Sequence, residues 1–249
     1  FTKNKKISKY LSPNVFLGSK KIILSCAVRS KKDKKYSEIV GYIFDFSSKK
    51  IKKKIFTLKP QCFYKNEEFC SFLSPFLFRY KNNFYCLIEA KKSNRVSKII
   101  ILQSSNLSDW KQSKLKLFTF NKNLHAPSFF SFKKKNYIFF SKDNNKLYYN
   151  TYTSNFKKIL KKKLIYKIKS KSSIIYSPFV FKINNFFIMF YSFWKNSLSG
   201  EIKILTSKNL FNWKYQKKSF FTPNKKFKII SEPCAFKYKK KNYLFFETK

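Results

Sequence analysis

Ser177-Pro178-Phe179-Val180-Phe181, followed by Lys182-Ile183-Asn184-Asn185 and then by residues 186–191, reads as an apolar strand, a turn and an aromatic strand. Phe, Tyr and Ile suit a pleated, packed sheet, and Asn at the bend tolerates a left-handed backbone. The same order recurs from Ser12-Pro13-Asn14-Val15-Phe16, Ser74-Pro75-Phe76-Leu77-Phe78, Ala126-Pro127-Ser128-Phe129-Phe130 and Glu232-Pro233-Cys234-Ala235-Phe236. The five prolines lie 62, 52, 51 and 55 residues apart (75−13, 127−75, 178−127, 233−178). Four short antiparallel strands with their turns consume about 40 to 50 residues, so this period matches one propeller blade per repeat. The sequence therefore predicts an all-β chain. The expected fold is a single five-bladed β-propeller of four-stranded antiparallel blades over residues 1–249, with blades starting near 12, 74, 126, 177 and 232.

Within each repeat a turn at 81–83, 133–136, 182–185 or 239–242 leads into a second strand at 84–89, 137–141, 186–191 or 243–247. Few of these strands alternate polar with apolar, which means that both of their faces are covered, as in stacked blades. Third strands follow at 98–103, 147–152 and 201–206, and the fourth strand is the edge. The third strand leads into Ser104-Ser105-Asn106-Leu107-Ser108-Asp109-Trp110 in one repeat and Ser207-Lys208-Asn209-Leu210-Phe211-Asn212-Trp213 in another, with Thr153-Ser154-Asn155-Phe156 as a worn copy. This motif reads as a polar turn closing on a buried indole. No window sustains apolar spacing of three and four, so no helix of consequence is expected, and no interdomain linker stands out. The last repeat holds only two strands before Lys249. Either residues 1–11 add an outer strand and close the ring, or the chain is a fragment.

Fifty-six Lys and Arg against eleven Asp and Glu give a net charge of +45, ordinarily a sign of a polyanion partner. However, the residues in excess (Lys, Asn, Phe, Ile and Tyr) are those of A- and T-rich codons. The lysine runs at 31–35, 49–54, 133–135, 161–163 and 239–241 fall at turns and strand ends, not on one helical face. The basic surface is thus read as solvated, with incidental polyanion binding at low salt, and nucleic acid as partner is the rival reading. With 43% apolar residues the chain can bury a large core, and no apolar stretch reaches membrane-spanning length. It begins at Phe1 with no charged-then-apolar leader, so any targeting segment is expected to have been removed or left out. Five cysteines, odd in number and without a C-x-x-C pair, argue for reduced buried thiols and favour the cytoplasm. The sequon Asn106-Leu107-Ser108 matters only for a protein secreted from a eukaryotic cell.

Taken together, the Pro-led strand, the aromatic strand and the Ser-x-Asn-Leu-x-x-Trp turn resemble the five-bladed propellers of glycoside hydrolase families 43 and 32 and their relatives. The resemblance runs from about Ser12 to Lys249. It implies a carbohydrate substrate and hydrolysis or transfer of a glycosyl group at the mouth of a central channel, with no cofactor. Glycoside cleavage needs two carboxyl groups flanking the scissile bond, one protonated and one ionised. The resembled enzymes place Asp immediately before the first-blade proline, a second Asp in a later blade, and a Glu as acid. Here Ser12 and Ser74 stand where Asp is expected, and only Glu232 keeps an acid directly before its proline. A non-catalytic sugar- or ligand-binding propeller is the alternative that this departure raises.

If first strands line the channel, the residues before each proline and those closing each second strand ring one mouth. That ring includes Ser12, Arg29, Ser74, Glu89, Lys91, His125, Ser141, Ser177, Tyr191, Glu232 and Glu247. The expected catalytic candidates are Glu232, Glu247 and Glu89; the expected substrate contacts are His125, Arg29, Ser74, Ser177 and Trp194, the last in a loop near Gly200 and suited to stacking on a sugar. Against these stand plainer roles: Glu89 and Glu247 as strand-end partners of lysine, His125 packed or solvated, and Trp110 and Trp213 as cement between blades. No Ser-His-Asp order, metal-ligand cluster, P-loop or dinucleotide fingerprint is present.

Overall fold

The structure, a computed structural model, describes residues 7–18, 21–30, 36–63, 69–94, 96–115, 123–170, 172–196, 199–224 and 227–248. The lysine run at 31–35 and residues 1–6 of the expected closing segment lie outside them.

The chain divides into two compact units, Phe1–Lys122 and Asn123–Lys249. In the first, β1 (Ile7–Leu17), β2 (Ile22–Ser30), β3 (Ser37–Asp45) and β4 (Lys50–Leu58) pair antiparallel in chain order. A four-residue helix, α1 (Pro60–Phe63), precedes β5 (Phe69–Tyr80), β6 (Asn83–Lys92), β7 (Ser97–Ser104) and β8 (Lys111–Gln112), a second antiparallel set. One parallel pair, Ser37 with Ser71, joins the two sets into a single sheet. Residues 7–11 belong to β1 and pair with β2.

The second unit holds β9 (Leu124–Phe132), β10 (Lys135–Lys142), β11 (Lys146–Thr153) and β12 (Ile159–Lys167), then β13 (Ile174–Ile183), β14 (Phe186–Asn196), β15 (Ser199–Ser207) and β16 (Lys214–Tyr215). These form two four-stranded antiparallel sheets, and β17 (Ile230–Tyr238) with β18 (Lys241–Thr248) forms a two-stranded one. Each unit has an aromatic-aliphatic core, around Phe72, Leu77 and Ile88 in the first and around Phe139, Tyr149, Phe187 and Tyr191 in the second.

Two expectations need correction. The lysine runs at 49–54 and 161–163 lie mostly inside the edge strands β4 and β12, not at turns. Lysine there blunts an otherwise sticky edge, because pairing with another chain would bury its charge. The strands also begin before the prolines. Each proline sits inside its strand, within a register slip: between Leu11 and Asn14 in β1, Leu73 and Phe76 in β5, His125 and Ser128 in β9, Tyr176 and Phe179 in β13, and Ser231 and Cys234 in β17.

At all five slips the residue before proline is left-handed: φ is 52° at Ser12, 47° at Ser74, 45° at Ala126, 53° at Ser177 and 56° at Glu232. An extra residue in one strand re-aims its side chain, and the left-handed turn that does so costs an L-residue roughly 1–2 kcal/mol. Next to these bulges the first strands pack on one another: β1 on β5, and β13 against both β9 and β17. The residue after the proline ties them, with Asn14 Oδ1 accepting the Leu77 N–H at 3.0 Å and the Ser128 hydroxyl donating to the Pro178 carbonyl.

Candidate functional site

In the second unit the same contact between bulges joins β13 to β17 through side chains: the Ser177 hydroxyl donates to Glu232 Oε2. The backbone N–H of Glu232 donates to Ser192 Oγ at 2.8 Å, so the carboxylate is fixed from both its own backbone and a neighbouring strand. Ser177 and Ser192 are buried and Glu232 is half-buried. Glu247, also buried, lies on β18 directly across from Ser231. The β17 bulge therefore brings the two carboxylates of this hairpin to its same end.

Tyr176 gathers the cluster. It pairs with Ser192 across β13 and β14, and its ring lies 6.0 Å from that of Trp194. Its phenol is held well above the usual tyrosine range, first by burial, then by the charge of Glu232 and, to a smaller extent, by that of Glu247. Two carboxylates disfavour a third anion nearby, so the phenol stays protonated beside them. Trp194 lies within strand β14, not in a loop, because β14 runs on to Asn196. Its partner across the sheet is Gly200, where a Cβ would stand 3.2 Å from the indole and 3.0 Å from Ile229 Cγ2. A methyl group there would require the indole or Ile229 to give by a few tenths of an ångström.

Four of the expected site residues, Glu232, Glu247, Ser177 and Trp194, thus meet around Tyr176. His125 lies on β9, half-buried, with its carbonyl accepting from the Ser141 hydroxyl at 3.4 Å. Arg29, Ser74 and Glu89 belong to the first unit: Arg29 near the end of β2 opposite Lys9, Ser74 at the β5 bulge, and Glu89 buried on β6, where Ser97 donates to it at 3.2 Å. Tyr176, Ser192 and Ser231 were not anticipated. Tyr176 and Ser231 each stand one residue before a pre-proline position, and that offset was the available signal.

An anchored carboxylate, a second carboxylate, a neutral phenol and an indole supply acceptors, a donor and a flat apolar surface. Such a set orients a polyhydroxylated ring.

Solved structures that superpose on this chain include glycoside hydrolases of families 43 and 62, which belong to the five-bladed propeller fold family. A thermostable family-43 glycoside hydrolase superposes with a TM-score of 0.75 at 14% identity, covering 96% of this chain and 83% of its own. The likeness shows the fold. The GH43_1 enzyme from Xanthomonas citri complexed with xylose gives 0.73 at 8% identity, covering 95% and 80%. An exo-1,5-alpha-L-arabinanase from a bovine ruminal metagenomic library gives 0.70 at 11% identity, covering 100% and 90%. No protein-family model matches the chain, and no curated protein does.

Proposed function

We propose that this chain is a single carbohydrate-active propeller of five blades, the last one short, which hydrolyses or transfers a glycosyl group at the end of the sheets where the bulges lie. The observation that carries this reading is the Ser177–Glu232 bond between adjacent bulges, with Glu247 and Tyr176 beside it. Glu232 is the leading acid and Glu247 the second carboxyl. Ser177 orients Glu232, Trp194 stacks on the sugar, and His125 contacts substrate from its own strand. Carboxyl separations of about 5–5.5 Å would give retention of configuration, and about 6.5–9.5 Å inversion.

The experiment is turnover on a panel of aryl glycosides and plant and microbial oligosaccharides, for the parent and for Glu232→Gln. The expected result is cleavage or transfer on at least one member, falling at least a hundredfold in the variant, as expected when general acid catalysis is lost. A variant as active as the parent would reject Glu232.

One observation favours a second reading, sugar binding without chemistry: four of the five left-handed bulge positions carry Ser12, Ser74, Ala126 and Ser177, none of them an acid. Binding with no product, unchanged when Glu232, Glu89 and Glu247 are all replaced by Gln, would establish it.

A further inference from the structure

The second unit contains four acidic residues, Asp143, Glu201, Glu232 and Glu247. Asp143 is in the β10–β11 turn, Glu201 near the start of β15, Glu232 near the start of β17 and Glu247 near the end of β18. In antiparallel sheets these positions all fall at one end, the end of the bulges. The three sheets point the same way: Ile175 N–H donates to the Asn144 carbonyl at 2.8 Å at that end of β13, Lys182 Nζ lies 5.1 Å from the Phe132 ring at the other, and Gly200 bridges Ile229 in parallel.

The opposite end is built from the turns after β9, β11, β13, β15 and β17, and it carries no acidic residue. Four of these turns present exposed lysine, Lys133 and Lys134, Lys158, Lys208, and Lys240, and exposed Lys182 stands at the end of β13 just before the fifth. Aromatic rings stand among them. Lys133 and Lys182 lie over Phe132, and Lys208 lies 5.7 Å over Phe186, which is itself 47% exposed.

We propose that this turn face of the second unit docks on an anionic lipid bilayer, with the lysines among the headgroups and Phe186 entering the interface. Each lysine held near an acidic leaflet adds to binding, and a shallow aromatic anchors the contact in the interfacial layer. Single-stranded nucleic acid fits less well, because its bases need open ring faces and ammonium groups already sit over Phe132 and Phe186. A generally lysine-rich surface does not by itself place every acid of the unit at one end. This surface is independent of the sugar site and stands whether or not the chain is an enzyme.

The test is co-sedimentation of the full chain with phosphatidylcholine vesicles, with and without phosphatidylserine, at about 150 mM salt. The expected result is binding only with phosphatidylserine. It should weaken about a hundredfold in the triple variant Lys133→Gln, Lys134→Gln, Lys240→Gln, and by less than about threefold in the equally charged control Lys167→Gln, Lys169→Gln, Lys218→Gln, whose exposed lysines lie at the end of the bulges. Phe186→Ser should weaken it severalfold at unchanged charge, and if the triple variant does not fold, Phe186→Ser and Lys182→Gln carry the comparison. Equal losses in the turn-face variant and this control would reduce the binding to net charge and overturn the proposal. So would no vesicle binding, or binding of a labelled single-stranded oligonucleotide at this salt that the vesicles cannot compete away.

Discussion

Eighteen non-glycine residues among those described have a left-handed backbone, while none of the three glycines does. In Lys133-Lys134 and Lys239-Lys240 both members are left-handed, the arrangement of two-residue hairpin turns for which Asn-Gly is the favoured sequence, and Asp143 and Asn144 are left-handed in the three-residue turn between β10 and β11. The chain pays conformational strain at turns that a richer supply of glycine would relax. Replacing Lys133-Lys134 by Asn-Gly should therefore stabilise the protein by about 1 kcal/mol, read as a higher denaturation midpoint at unchanged slope. A lower midpoint would show that lysine is not strained there. The pre-proline bulges belong to the same scale and were only partly legible in the sequence. The prolines marked where first strands lie, but a proline also disfavours a helical residue before it and says nothing about φ near 50°. Hence Ser177 and Glu232 were picked out by position, whereas their bond, and the role of Tyr176 between them, became visible only with the bulge geometry.

The element that the sequence displayed most fully is the Ser-x-Asn-Leu-x-x-Trp turn. Ser207 Oγ accepts the N–H groups of Asn209 and Leu210, Asn209 Oδ1 accepts those of Phe211 and Asn212, and Trp213 Nε1 donates to the Leu210 carbonyl at 3.0 Å. The turn at Ser104–Trp110 repeats the same bonds, and Thr153–Lys158 keeps the Asn155 part of them. Short polar side chains that replace backbone partners are local chemistry, which is why this motif could be read directly. The indole then packs on other strands, Trp213 edge-on to Phe139 of the neighbouring sheet at 6.3 Å and Trp110 on Phe56 of β4 at 5.2 Å. Trp213→Ala should cost about 3 kcal/mol of stability, and Trp213→Phe, which keeps the packing and loses only the hydrogen bond, about 1 kcal/mol. Equal losses in calorimetry would mean that the hydrogen bond, not the ring, holds the turn. The edge strands were less legible: five consecutive basic or apolar residues such as Lys50-Ile51-Lys52-Lys53-Lys54 carry the composition of a loop, and only the neighbouring strand makes them β.

At the scale of the whole molecule the sequence foretold an all-β chain of antiparallel strands, because most pairings join strands that are neighbours in the chain. What the period could not supply is the chemistry at the bulges, since a fold shared at 8 to 14% identity with glycoside hydrolases does not carry their acids along. Sequence alone therefore named the hairpin carboxylates Glu232 and Glu247 but not what surrounds them. The central claim is that sugar binds around Tyr176, Trp194, Glu232 and Glu247, whether or not it is then cleaved. Hydrogen–deuterium exchange of the parent protein with and without each oligosaccharide of the panel tests it most directly. At least one sugar is predicted to slow exchange in 174–178, 192–200 and 230–234 together, with the hairpin tips at 133–134 and 239–240 unchanged. Protection confined to other segments, or none with any sugar at millimolar concentration, would contradict it.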